Sequence, residues 1–313
     1  MKFWIGVAVT VALAAGLALS GTNEYFFYAG YVVLQFVVLA TAWNILGGYA
    51  GYVNFGTAAF FGIGAYTAVV LFKAAGAPLG VQVLAAACAS GLLGFGTGLL
   101  TLRLRGIFFS IATVAVIFIM QTAIVNWRYV GGATGVQLLR PPAMPLFDSY
   151  TRMLFVVMAV MAVAGVCIAR YIEVSWIGRG LRAIRDNEEA AECSGVPTLK
   201  LKLFACTVSG ALMGAAGAPL PMYMSFLEPA SSFDLNYSVS ALAMPMIGGT
   251  SHWLGPVIGA ILLGSIQQIV TVTISNEINV LVVGVLLVVF VVAAPDGILG
   301  LLKKLRWLLR SSR

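Results

Sequence analysis

Residues 107–127 read IFFSIATVAVIFIMQTAIVNW, with no charged side chain among them. A helix crosses the roughly 30 Å of a bilayer's hydrocarbon core with about 20 mostly apolar residues, and this run is long enough. Working outward, similar runs occupy 3–20, 26–46, 55–72, 80–102, 153–171, 203–222, 237–250, 254–274 and 279–300. Together they predict about ten helical spans. The run at 237–250 is short for a full crossing and holds Pro245, so it reads as a broken or re-entrant helix. The first run follows Lys2 and ends in Leu19-Ser20-Gly21, which faintly resembles a signal-peptide cleavage site. Its apolar stretch exceeds the roughly 7–15 residues of a signal core, and it reads as a retained helix.

Composition leads to the same class. Of 313 residues, 61% are hydrophobic and 9% charged, against about 25% charged in soluble domains. Such a chain cannot cover a water-facing surface. The expected fold is an all-α integral membrane protein, one transmembrane domain over 1–313, without repeats or low-complexity segments.

The net charge of +7 does not indicate nucleic acid, because the basic residues sit between apolar runs and in the tail, not on a face interleaved with aromatics. They read as topology signals. With the N-terminus inside and every run crossing, only Lys73, Arg128, Arg140 and Arg152 remain outside. Both termini are then cytoplasmic, following the positive-inside rule. Two polar connections result. One, 128–152, is external and holds Gly131-Gly132, Pro141-Pro142 and Asp148; the other, 172–202, is cytoplasmic and carries the densest charge in the chain.

Several chemistries lack their residues. There is no phosphate-binding G-x-x-x-x-G-K-[ST] loop and no Gly-Lys pair, so ATP, if used, binds another chain. Glu24, Glu173, Glu228, Asp234, Glu277 and Asp296 all fall near predicted span ends, which counts against a proton relay at membrane depth. His252, beside Trp253, reads as a hydrogen-bonded interfacial residue, with no Ser/His/Asp arrangement around it. Cys88, Cys167, Cys193 and Cys206 have no paired metal-ligand spacing and read as small buried hydrophobes, so no metal site is expected.

Glycine is concentrated at 47–66, in GGYAGYVNFG and then FFGIGAY. Two readings stand: a broken helix beside a translocation path, where non-helical backbone is tolerated, or close helix packing through small residues. The candidate path residues are Asn44, Gly48, Gly51, Asn54, Phe55, Gly56 and Gly62. Gly94/Gly98, Gly210/Gly214 and Gly255/Gly259 have the spacing of packed helix faces, and Pro219 and Pro221 are expected to kink or end the run beginning near Leu203.

The cytoplasmic connection reads WIGRGLRAIRDNEEAAECSGVP over 176–197. Asp186 or Asn187 is a suitable N-cap, the acidic residues that follow favour a helix start, and Gly195 with Pro197 favours its end. A short helix results, either a solvated connector or a docking element for a cytoplasmic partner.

At this segment, from Gly180-Leu181-Arg182 through Gly195, the sequence closely resembles the permease subunits of branched-chain amino acid ABC importers of the LivM type. The resemblance implies that Arg185, Asp186, Asn187, Glu188, Ala190, Ala191 and Gly195 form a coupling helix that docks in a groove of an ATPase subunit. Further matches are Trp43-Asn44, Gly48-Tyr49, Gly51 and Asn54-Phe55-Gly56 through Tyr66, then Gly131-Gly132-x-x-Gly135, Gly248-Gly249, Gly255-Pro256 and Pro295-Asp296-Gly297. Thr250-Ser251-His252 and Ala294 depart from the family pattern, which weakens the transfer of substrate identity. The resemblance implies import of branched-chain amino acids; related permeases carry urea, short amides or other amino acids. It also implies a LivH-type second permease, two ATPase subunits carrying ATP and Mg, an extracytoplasmic binding protein, a bacterial inner membrane and no cofactor on this chain. The rival class is an ion-coupled secondary transporter, against which the coupling-like loop argues.

Overall fold

A computed structural model of the chain describes residues 24–104, 106–138, 149–273, 276–294, 297–301 and 304. The expected first span at 3–20, Arg105, the 139–148 part of the external connection, Pro295-Asp296 and most of the basic tail lie outside the described residues.

The fold is built from helices of membrane-crossing length. α1 (Glu24–Ala50), α2 (Thr57–Ala75), α3 (Leu79–Thr101), α4 (Ile107–Val125) and α5 (Tyr150–Val174) lead into two short helices, α6 (Trp176–Asp186) and α7 (Glu188–Cys193). α8 (Thr198–Gly217) follows, then α9 (Leu220–Met224), α10 (Pro229–Ser232), α11 (Leu235–Gly248), α12 (Leu254–Thr273) and α13 (Asn276–Ala293). The only described strands, β1 (Val136–Gln137) and β2 (Phe226–Leu227), pair antiparallel with Val136 opposite Leu227. The all-α membrane class read from composition is the observed one.

Seven described helices have the length and apolarity to cross a membrane, against about ten expected. One of the expected runs, 3–20, lies outside the described residues, and another, at 237–250, falls short for a physical reason. α11 has 14 residues, about 21 Å at 1.5 Å per residue, which is short of a bilayer core. It also starts partway along the bundle: Phe233, just before it, packs on Gly62 and lies 6.0 Å from the Tyr66 ring, both within α2. Asp234 caps α11 by accepting from Asn236 N at 2.9 Å. This carboxylate therefore lies partway along α2, not at an outer end where a full-length span would put it. Pro219 sits at the interruption between α8 and α9, as expected of a residue that cannot continue a helix.

Two of the small-residue faces, Gly94/Gly98 and Gly210/Gly214, meet in one seam, while Gly255/Gly259 packs separately against Met244 and Gly248 of α11. A Cβ at Gly94 of α3 would stand 2.8 Å from Cys206 O of α8, and one at Gly210 would stand 2.9 Å from Ser90 O of α3. Gly64 of α2 meets the Gly214 backbone, and Ser90 Oγ donates to Phe60 O at 2.9 Å. Backbones approach this closely only where side chains are absent, which is how helices associate when lipid is as apolar as the interface.

Charge separates by end. Lys73 donates to Tyr129 O, and Arg152 lies over Phe27 near the start of α1; both are at the end where β1 meets β2. Arg170, Arg179, Arg182, Arg185, Lys200 and Lys202 gather at the other end, around α6 and α7. This is the partition that the positive-inside reading predicts. Two expectations are corrected: Cys88 and Cys193 are exposed, because Cys88 is on an outer face of α3 and Cys193 ends a short surface helix, whereas Cys206 is buried.

A candidate coupling site at one end of the bundle

The helices at 176–193 form for local reasons. Ser175 caps α6, its Oγ accepting from Gly178 N, and Leu181 and Ile184 on the inner face enter an apolar cluster with Ile45, Leu46, Tyr49 and Leu102. Asn187, with φ −163° and ψ 108°, leaves helical geometry and separates α6 from α7. Of the two caps the sequence offered, Asn187 is the one used: its Oδ1 accepts from Ala190 N at 3.0 Å. Glu188 and Glu189 then occupy the first turn of α7, at the positive end of the helix dipole. Gly195 follows the last turn at φ +82°, a conformation most L-residues avoid.

The coupling residues named from the sequence split between two surfaces. Arg185, Asp186, Asn187, Ala190 and Gly195 are exposed, together with Glu189 and Glu192. Ala191 is buried in the same apolar cluster as Leu181, and Glu188 is half-buried. The pair thus presents a polar outer edge and anchors an apolar inner one.

Glu188 is held by a buried cluster. Lys202 of α8, 3% exposed, donates from Nζ to Glu188 Oε1 at 2.6 Å, to Tyr52 OH at 3.0 Å and to Leu102 O at 3.2 Å, which engages all three ammonium donors. Tyr52 OH in turn donates to Glu188 Oε2 at 2.5 Å. A desolvated ion pair is tolerated only when its remaining hydrogen-bonding capacity is satisfied, and this one is closed into a ring. Sequence reading treats Lys202 as a topology signal; the structure makes it an internal partner. The available cue was its place, directly at the edge of the apolar run starting near Leu203. Nothing local links it to Tyr52, 150 positions away.

Tyr52 belongs to the non-helical segment 51–56 between α1 and α2, so the chain is interrupted where the glycine-rich stretch suggested. The backbone of this break is satisfied by neighbours. Trp43 Nε1 donates to Asn54 O at 2.7 Å, Ser110 Oγ to Val53 O at 2.9 Å, and Phe55 N to Thr113 Oγ1 at 3.0 Å; Gly56 N reaches Asn54 Oδ1 at 2.7 Å. Irregular backbone within a membrane bundle requires such shielding by protein. Arg185 Nη1 donates to Gly48 O at 3.1 Å, and a Cβ at Gly51, which adopts φ +77°, would stand 2.8 Å from Arg185 Cγ. The candidate coupling helices therefore touch the candidate path segment directly.

Of the candidate path residues, Asn44, Gly48, Asn54 and Gly56 are buried, Phe55 is half-buried and Gly51 is exposed, all around the end of α1 and the start of α2. Gly62 stands apart, under Phe233. Both readings of the glycine-rich stretch have a structural counterpart: a break at 51–56 and close approach at Gly48, Gly56 and Gly62.

A second polar tie, which sequence reasoning missed, completes this end. Glu173 Oε2 accepts from Trp253 N at 2.8 Å and from Tyr49 OH at 3.4 Å, and Arg182 donates to Glu173 O. His252 Nδ1 accepts from Leu254 N at 3.2 Å at the start of α12, a hydrogen-bonded role as expected. Gly297 closes against Gly249, so the described end of α13 reaches the same level.

Residues 25–291 match the family model described as branched-chain amino acid transport system / permease component. The chain is 26% identical over 293 residues to the high-affinity branched-chain amino acid transport system permease protein LivM of Salmonella typhimurium, covering 86% of this chain and 68% of the relative. It is 27% identical over 297 residues to LivM of Escherichia coli, with the same two coverages. Against LivH of Salmonella typhimurium it is 23% identical over 285 residues, covering 85% of this chain and 91% of the relative. No solved structure matches.

Proposed function

The chain belongs to the branched-chain amino acid transport permease family, and on that premise we propose that it lines the membrane path of an ATP-driven importer of branched-chain amino acids. It pairs with a LivH-type permease and works with two ATPase subunits, which carry ATP and Mg, and an extracytoplasmic binding protein. It resides in a bacterial inner membrane with the 172–202 end in the cytoplasm, both termini on that side. Its own residues perform no covalent chemistry.

The observation that carries this reading is the exposed outer edge of α6 and α7, Asp186, Asn187, Glu189 and Ala190, on a pair anchored from within by Leu181, Ile184 and Ala191. Such an element can be pushed without unfolding. A partner that binds differently in its ATP-bound and empty states shifts the access equilibrium by that difference in contact energy. The residues from Asn44 to Gly56, with Gly62, are the proposed path segment.

The test is ATP-dependent uptake of labelled leucine in vesicles holding the full complex, with isoleucine, valine, urea and other amino acids as competitors, for native protein and Ala190→Arg. Ala190 is exposed, so the substitution adds bulk and charge to the docking edge without entering the core. The expected result is native uptake competed by isoleucine and valine and lost in Ala190→Arg, with normal membrane levels of the variant. Uptake that persists without the ATPases overturns the coupling reading. Competition by urea alone overturns the substrate.

A further inference from the structure

The docking edge and the chain break are separate in sequence, and a displacement at one has to reach the other through particular atoms. Two polar ties join the docking helices to this part of the chain: Arg185 to the Gly48 carbonyl, and Tyr52 to both members of the Glu188–Lys202 pair. The first involves a side chain at the surface, with 33% of its area exposed and a second exposed partner in Asp186 at 3.7 Å, so it is screened and replaceable by water. The second is internal. Lys202 is 3% exposed and Tyr52 9%.

We infer that Tyr52 is the positioning residue through which movement of the 188–193 helix reaches the 51–56 break. The geometry supports this in three ways. The Tyr52 hydroxyl donates to Glu188 and accepts from Lys202, so it follows whichever of α7 and α8 is displaced. Its ring is fixed from the side by Phe109 of α4, edge-on at 5.2 Å, and its hydroxyl end is held by the Lys202 ammonium, 4.8 Å from the ring centroid. The segment it belongs to is hung on Ser110, Thr113 and Trp43 by hydrogen bonds to backbone atoms, not held by a helical ladder of its own. A pull on the phenol therefore acts on non-helical backbone between two helices, where the chain can turn without breaking helical hydrogen bonds.

This inference rests on the importer reading, and the test separates the two. Tyr52→Phe removes the hydroxyl but keeps the ring against Phe109 and the Glu188–Lys202 pair intact, so the fold is retained; Lys202→Met removes the shared donor and serves as the second variant. The full complex is reconstituted in lipid vesicles, and labelled leucine uptake is measured together with ATP hydrolysis. In Tyr52→Phe, uptake per ATP hydrolysed is expected to fall roughly fivefold, a typical size for a lost coupling, while hydrolysis itself stays near the native rate. Lys202→Met is expected to lower the same ratio further. An unchanged ratio in Tyr52→Phe overturns the inference, as does a parallel fall of uptake and hydrolysis, which is the mark of a merely structural role. If the native complex shows no ATP-dependent uptake, the importer reading fails and carries the inference with it.

Discussion

The seam between α3 and α8 and the cluster around Lys202 hold neighbouring helices together by opposite means. At the seam, Gly94, Gly210 and Gly214 let backbones touch, and the attraction is the sum of many weak contacts. At the cluster, three side chains close a ring of directional bonds around one buried charge. A seam of the first kind tolerates no added atom and has no single contact to release. A cluster of the second kind depends on each partner, and its loss is felt at once. The candidate moving part accordingly lies at the polar end: directional bonds can be exchanged between two arrangements, whereas interlocked backbones define one.

The sharpest way to break this comparison is Lys202→Met, which leaves Glu188 charged and without its cation. Orphaning one member of a fully buried pair costs about 3–5 kcal/mol; with Glu188 half-buried, the drop should lie at the low end, about 3 kcal/mol, seen as loss of monodisperse protein on heating after solubilisation. Neutralising both partners, Glu188→Gln with Lys202→Met, should recover most of that loss. Next in size is Gly210→Val at the seam. The new side chain meets Ser90 O and the Phe60 ring, and overpacking of this sort costs about 1–3 kcal/mol in the same assay; an unshifted melting transition would mean the seam has slack. Thr113→Val comes third. It strips the acceptor from Phe55 N, and an unmet backbone donor costs about 1–3 kcal/mol when buried, less here because Phe55 is only half-buried. Faster hydrogen exchange at residues 53–56 would register it. Smallest is Asp186→Asn, which ends an exposed pair with Arg185 at 3.7 Å and should change stability by under about 1 kcal/mol. A larger loss would place Asp186 in a tie of the Lys202 kind.

Much of the architecture was legible because membrane solvation is a strong and local constraint. The run at 107–127 had to be a helix, and α4 is one. A cap at Asp186 or Asn187 and a terminator at Gly195 were legible from residue type, since capping is settled within one turn, and the structure uses Asn187. The span at 237–250 was read as abnormal from its length and Pro245, and α11 is short. What escaped were contacts between distant positions. Lys202 looked like one more loop cation, and Glu173 like a residue at a helix end. Their partners Tyr52, Leu102 and Trp253 come from connections between other helices, and no spacing within one segment encodes that.

The sequence alone determined that the chain is apolar and helical, which end of the bundle is basic, where α7 starts and stops, and where the chain can break between α1 and α2; the helix α6 that precedes α7 emerged from the structure. Each of these follows from the free energy of placing one residue or one turn in lipid, in water or at a helix terminus. Only the tertiary structure decided that the 51–56 break lies against α7, that Lys202 is internal and that α11 starts beside Gly62 instead of at a membrane face. Those outcomes depend on which helices approach which, a choice made by the shape of glycine seams and by the cost of leaving buried charges and backbone donors without partners.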